Sequence, residues 1–204
     1  DFYSQDVLDF NRNKTIELYG KYNGQIDFGE FSKMTNNLIS NIQGHVGQDK
    51  ISGQTDMLNL SEPAILLNKV YGVDSENAIN TFYKKIGMSA EETENHLYKL
   101  VQTAQSSNIP VSNYISTIAT MSERFRELGV NINLANNGMQ NLMLSGMSYE
   151  DSKDLVSGFG TAISNYDDNP GRAAFFGSMI GMDPFEAIYT TKARWEKDEN
   201  GNYV

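Results

Sequence analysis

The best-spaced oxygen donors in the chain lie in residues 23–34, NGQIDFGEFSKM. Gly24 permits a sharp turn, and Asn23, Asp27 and Glu30 follow the spacing with which a loop wraps a hard cation such as calcium. Glu30 would give both carboxylate oxygens. The donors that should complete the cage lie just upstream, where the chain has Tyr19 and Lys21. A phenol and a cation there remove two hard oxygens and add a positive charge. Gly24, Asp27 and Glu30 are therefore expected to form a turn that does not bind calcium, within a plain helix–turn–helix.

Other chemistry-bearing residues are sparse. The two histidines, His45 and His96, are far apart and neither belongs to an H-E-x-x-H helix. His96 follows Glu91, Glu92 and Glu94, a run that reads as a solvated acidic first turn suited to the helix dipole. Asp167 and Asp168, in YDDNPGR, could face an ion, but the same residues with Asn169 and Pro170 are ordinary turn chemistry. The terminal KDENGNY has no downstream Glu to close a cation loop and reads as a tail. Neither a G-x-S-x-G elbow nor a Walker phosphate loop is present. No catalytic residue, metal or cofactor is expected.

Two short resemblances mark these segments. Residues 23–34 resemble the second half of an EF-hand loop, with Gly24 at position six, Ile26 at eight, Asp27 at nine and Glu30 at twelve. GMQNLM, residues 138–143, resembles the Gly-Met-Gln segment of lytic transglycosylases, yet the Glu-Ser pair that family needs upstream occurs nowhere in the chain.

The 204 residues carry a net charge of −10 with no long basic run, which argues against an electrostatic grip on nucleic acid or an anionic membrane. The absence of cysteine excludes disulfides, thiolate metal sites and cysteine nucleophiles. No apolar run approaches the roughly 18 residues of a spanning helix. The start at Asp1 and the stop after KDENGNYV suggest a piece of a longer chain.

The elements that must position any site are helical. Residues 5–19 and 28–43 read as two helices about the Gly24 turn. Residues 44–60 are polar with three glycines and read as a loop or linker and as the internal boundary. The expected organisation is thus a hairpin over 1–43, the linker over 44–60 and a helical domain over 61–204.

Beyond residue 60 one pattern recurs: YGVD at 71–74, IGMS at 86–89, LGVN at 128–131, SGMS at 145–148 and IGMD at 180–183. Gly72, Gly87, Gly129, Gly146 and Gly181 can each end a helix in the left-handed conformation, and the next apolar residue packs back on the last turn. The Ser, Asp or Asn that follows can cap the next helix. Ser89 with Glu92, Ser148 with Asp151, and Asp183 with Pro184 and Glu186 strengthen those caps. Apolar residues between the turns keep helical spacing over 74–86, 89–106, 112–128 (opened by Ser112) and 148–163. The fold class is all-α, an array of short helices joined by Gly-centred turns. Gly72 and Gly87 lie 15 apart, Gly129 and Gly146 17 apart; a duplicated two-helix unit and convergent capping both account for this. Met139, Met143 and Met147 recur every four residues, as core or as an adaptable partner-binding face.

Residues 71–160 resemble a helical region of phage tail tape measure proteins. The likeness lies in the order of features from YGVDSENAI through IGMSAEE, SSNIPVS and LGV to SGMS. It implies a structural protein inside the assembling tail tube of the virion, made in the host cytoplasm, that sets tail length. Its implied partners are tail tube, tail tip or tail-assembly chaperone proteins, or other copies of itself. A helical adaptor module using Met139 and Met143 is the alternative, and a cell-wall hydrolase domain a further one.

Overall fold

The computed structural model describes residues 5–21, 27–41, 50–165, 168–179 and 181. Every element is helical: α1 (Gln5–Lys21), α2 (Phe28–Asn41), α3 (Lys50–Tyr71), α4 (Ser75–Ile79), a π-helical turn π1 (Asn80–Ile86), α5 (Ala90–Ser106), α6 (Val111–Glu127), α7 (Asn133–Leu144), α8 (Tyr149–Ser164) and α9 (Pro170–Met179). The protein is all-α. Its described residues form two compact units that divide inside α5 and α6. One runs to Val101 and includes Pro110–Ser116; the other comprises Gln102–Ile109 and the chain from Thr117.

In the first unit α3 packs against α1, α2 and α4. Met57, Leu58, Leu60, Ala64, Ile65 and Leu67 are all buried along it. Apolar residues on most sides mark a helix surrounded by its neighbours rather than one with a single greasy face. This overturns the expectation of a loop through residue 60: the chain is helical from Lys50, and residues 42–49 lie outside the described residues. Gly53 is buried inside that helix. Pro63 also sits within it and removes one backbone donor. Burial of the Leu and Met side chains, at about 1.5–3 kcal/mol each, outweighs a penalty of about 3 kcal/mol for an internal proline.

The second unit stacks α7 on α8 and α8 on α9. Phe125, Met139, Leu142, Val156, Phe159 and Ile163 are buried in it. Small residues allow the close approach: a Cβ on Gly138 would meet Val156 Cγ2 at 2.9 Å.

The Gly-centred turns have a common local structure. Gly72, Gly87, Gly129, Gly146 and Gly181 have φ of +65°, +92°, +68°, +93° and +74°. At Gly129 and Gly146 the next residue's N–H reaches back to the last full turn, Val130 to the Phe125 carbonyl at 2.7 Å and Met147 to that of Leu142 at 3.1 Å. These are Schellman closures. At Gly72 and Gly87 the corresponding bonds span one residue more, Val73 to Leu67 and Met88 to Phe82. The segment 74–86, expected as one helix, is a short α-helix that widens into π1. Gly87 closes it with an N–H to the same Phe82 carbonyl.

The caps follow the turns. Asp74 accepts from the Asn77 N–H at 3.1 Å, Asn131 from Asn133 at 3.0 Å and Ser148 from Asp151 at 3.2 Å. Ser89 and Glu92 form a reciprocal box at 3.1 and 2.8 Å. Ser112 does not cap α6: that helix starts at Val111, and the Pro110 carbonyl takes the Tyr114 N–H. Asp183, Pro184 and Glu186 lie outside the described residues.

Candidate functional site

The residues singled out for cation binding are engaged in packing and pairing. Asp27 caps α2, its Oδ1 accepting the Glu30 N–H at 3.2 Å. Glu30 is paired with Lys69 of α3. Tyr19, in place of a carboxylate, sets its ring edge-on to Phe28 and Phe31, with centroids 4.9 and 5.8 Å apart. Lys21 donates to Glu62 Oε2 at 3.1 Å. Tyr19, Lys21 and Glu30 therefore each tie α1 or α2 to a neighbouring helix, while Asp27 serves the start of α2 itself. Gly24, Asn23 and Ile26 lie outside the described residues. Among the described residues no three His, Asp or Glu side chains gather as a metal site.

His96 does not belong to the solvated acidic turn that precedes it. Its Nε2 is buried without a hydrogen-bond partner, and its ring lies edge-on to Phe82 at 4.6 Å between centroids. Burial, with Lys99 one turn away, pulls its pKa down to about 4. His45 lies outside the described residues, as do Asp167 and the segment from 182 that holds Trp195 and KDENGNY. Asp168 is exposed. Its neighbour Asn169 accepts the Arg172 N–H at 3.1 Å and so caps α9, with Pro170 in the first turn.

The three methionines separate. Met139 is completely buried between helices. Met143 and Met147 are half-buried. With Ile109, Leu144 and Tyr149 they line a shallow groove of about 320 Å³ in the second unit. Leu144, at 79% exposure, is the most open large apolar side chain described. Tyr149 anchors the groove wall, donating to Thr117 Oγ1 at 2.6 Å. The GMQ segment beside it is interior helix, with Gly138 against Val156.

Several structural residues gave weaker sequence signals. Asn108 has φ +55°, and Ile109 N–H bonds the Ala104 carbonyl at 2.9 Å, so α5 ends in a Schellman turn built on Asn. Asn followed by an apolar residue and proline is the signal that could have found it. Arg124 reaches Ser157 Oγ and Thr161 Oγ1 of α8 at 3.3 and 3.1 Å, a contact no local pattern encodes.

No described helix is long and apolar enough to cross a membrane. Comparison with protein-family models, curated proteins and solved structures finds no match to this chain.

Proposed function

We propose that this chain is a structural helical domain of a phage tail tape measure protein, acting in tail assembly and tail-length determination. The observation that carries the reading is the ordered series of turns from Tyr71 to Ser148, where left-handed Gly72, Gly87, Gly129 and Gly146 each end one helix before a capped successor. That series is also where the sequence resembles the family. The acidic side chains support a scaffolding role. Asp27, Asp74, Glu92 and Asp151 serve caps, while Glu30, Glu62 and Glu150 pair with lysines. The partners would be tail tube, tail tip or chaperone proteins, or further copies of the chain, within the virion tail.

An antibody raised against these 204 residues, used on lysate and on sedimented particles, tests the reading. We expect a band of much larger mass that pellets with tailed particles. A soluble species no larger than this chain would overturn it.

A second reading, a helical adaptor module, is favoured by the groove at Met143, Leu144 and Met147. It is distinguished by a one-to-one partner whose binding is lost in Leu144→Asp, a substitution at an exposed position that leaves the fold intact.

A further inference from the structure

His96 is one of two histidines in the chain and lies in the first unit; the second unit has none. Its ring rests on Phe82, which is completely buried and whose carbonyl closes the π-helical turn by accepting from Gly87 and Met88. The next residue, Tyr83, donates to Asp56 Oδ2 of α3 at 2.8 Å. The imidazole therefore bears on the residue around which π1 is organised. Its buried Nε2 has no partner. A neutral ring tolerates this at modest cost, but a protonated one would place a charge and an unmet donor there.

The surrounding groups do not relieve that charge. On α5, Glu92 is drawn back to the Ser89 N–H, Glu91 is exposed and Glu94 acts on Tyr98. Lys99, whose charge acts on the ring, is itself a cation. On π1 the charged groups are Lys84 and Lys85. On α3, Asp56 receives Tyr83 and Glu62 receives Lys21.

We propose that His96 is an acid-sensitive lock on the π-helical turn: when it takes up a proton, π1 and the first part of α5 separate, while the α7–α8–α9 unit stays folded. The direction follows from linkage. The native ring titrates at about 4, below the 6.5 of an unfolded one. The unfolded chain thus binds the extra proton across that window. Stability is complete above the unfolded value and falls as pH drops toward the native one, by up to about tenfold in the folding constant per pH unit.

Hydrogen exchange read peptide by peptide on the full chain at about pH 7 and about pH 4.5 tests this. We expect π1 and the first part of α5 to lose protection in acid, α7 and α8 to keep it, and His96→Phe to keep π1 protected. Loss of protection in both units together, or an unchanged acid response in His96→Phe, would overturn the proposal. Should that variant not fold, NMR titration of the wild-type ring decides, with His45→Asn identifying the signal. We expect the ring to stay neutral to about pH 5, and a midpoint near the ordinary 6.5 would overturn it.

Discussion

The ring of Phe125 fills the space that a side chain at Gly160 would need. A Cβ on Gly160 would lie 2.2 Å from Phe125 Cε1 and 2.7 Å from Cζ. The ring is completely buried, so it has no solvent to retreat into. The second half of α6 and α8 meet as closely as they do because one of them lacks a side chain at this point.

Gly160→Ala should therefore destabilise the second unit. Alanine gains about 1 kcal/mol in helix propensity. Displacing a buried ring costs about 3 kcal/mol or more. The net loss is about 2 kcal/mol, a fall in Tm on the order of 10 °C. Adding Phe125→Leu should recover part of it in a double-mutant cycle. Gly138→Ala is the milder contrast: its Cβ would meet the buried Val156 side chain, at 2.9 Å from Cγ2, 3.4 Å from Cγ1 and 3.8 Å from Cβ. There the two terms nearly cancel, and stability should stay within about 1 kcal/mol of wild type.

At Gly87 the cost is in the backbone. A Cβ there meets nothing within 4 Å, but φ is +92°. Gly87→Ala should lower the urea midpoint by the equivalent of about 1–2 kcal/mol. Gly87→Asn should cost less, as Asn108 already adopts a positive φ in this chain. Equal losses for Ala and Asn would place the cost in packing instead.

The turns were legible because their determinants are local: a glycine that tolerates positive φ, followed two residues later by an oxygen that caps. Where neighbours decide, the sequence misled. Gly53 read as part of a loop, yet burial of Met57, Leu58, Leu60, Ile65 and Leu67 holds α3 through it and through Pro63. The widening at π1 is a one-residue change of hydrogen-bond register with no side-chain signature. The spacing of Met139, Met143 and Met147 implied one stripe, but α7 ends at Leu144 and Met147 lies past the Gly146 turn. Asp27 was readable in the turn after Gly24, whereas the Lys69 partner of Glu30 stands 39 residues away.

Ser89 and Glu92 give a pH-dependent cap. The Ser89 backbone N–H and hydroxyl hold the Glu92 carboxyl below its ordinary 4.5. The folded group binds its proton less readily than the unfolded one. Its contribution is whole above the ordinary carboxylate range and is lost as pH falls through the folded value. Ser89→Ala should cost about 1 kcal/mol at neutral pH. It should also move the Glu92 midpoint, followed by its carboxyl ¹³C shift, back toward the ordinary value. A midpoint that Ser89→Ala leaves in place would mean that the backbone N–H at position 89, which alanine keeps, sets it without the hydroxyl.

The residues at the end of α1 and the start of α2 predict a null response to calcium. To bind there, the ion would have to detach Asp27 from the Glu30 N–H and Glu30 from Lys69 while Lys21 stays nearby. The Glu30–Lys69 pair is exposed and contributes at most about 1 kcal/mol, so its loss alone would not prevent binding. The obstacle is the missing pair of carboxylates, since Tyr19 is packed against Phe28 and Phe31. A ligand selective for the native state at about 100 times its Kd adds about 2.7 kcal/mol. For the first unit that would be a rise on the order of 10 °C. Melts in millimolar calcium and in chelator should coincide, and a rise of several degrees with calcium would show that other oxygens replace those Tyr19 and Lys21 lack.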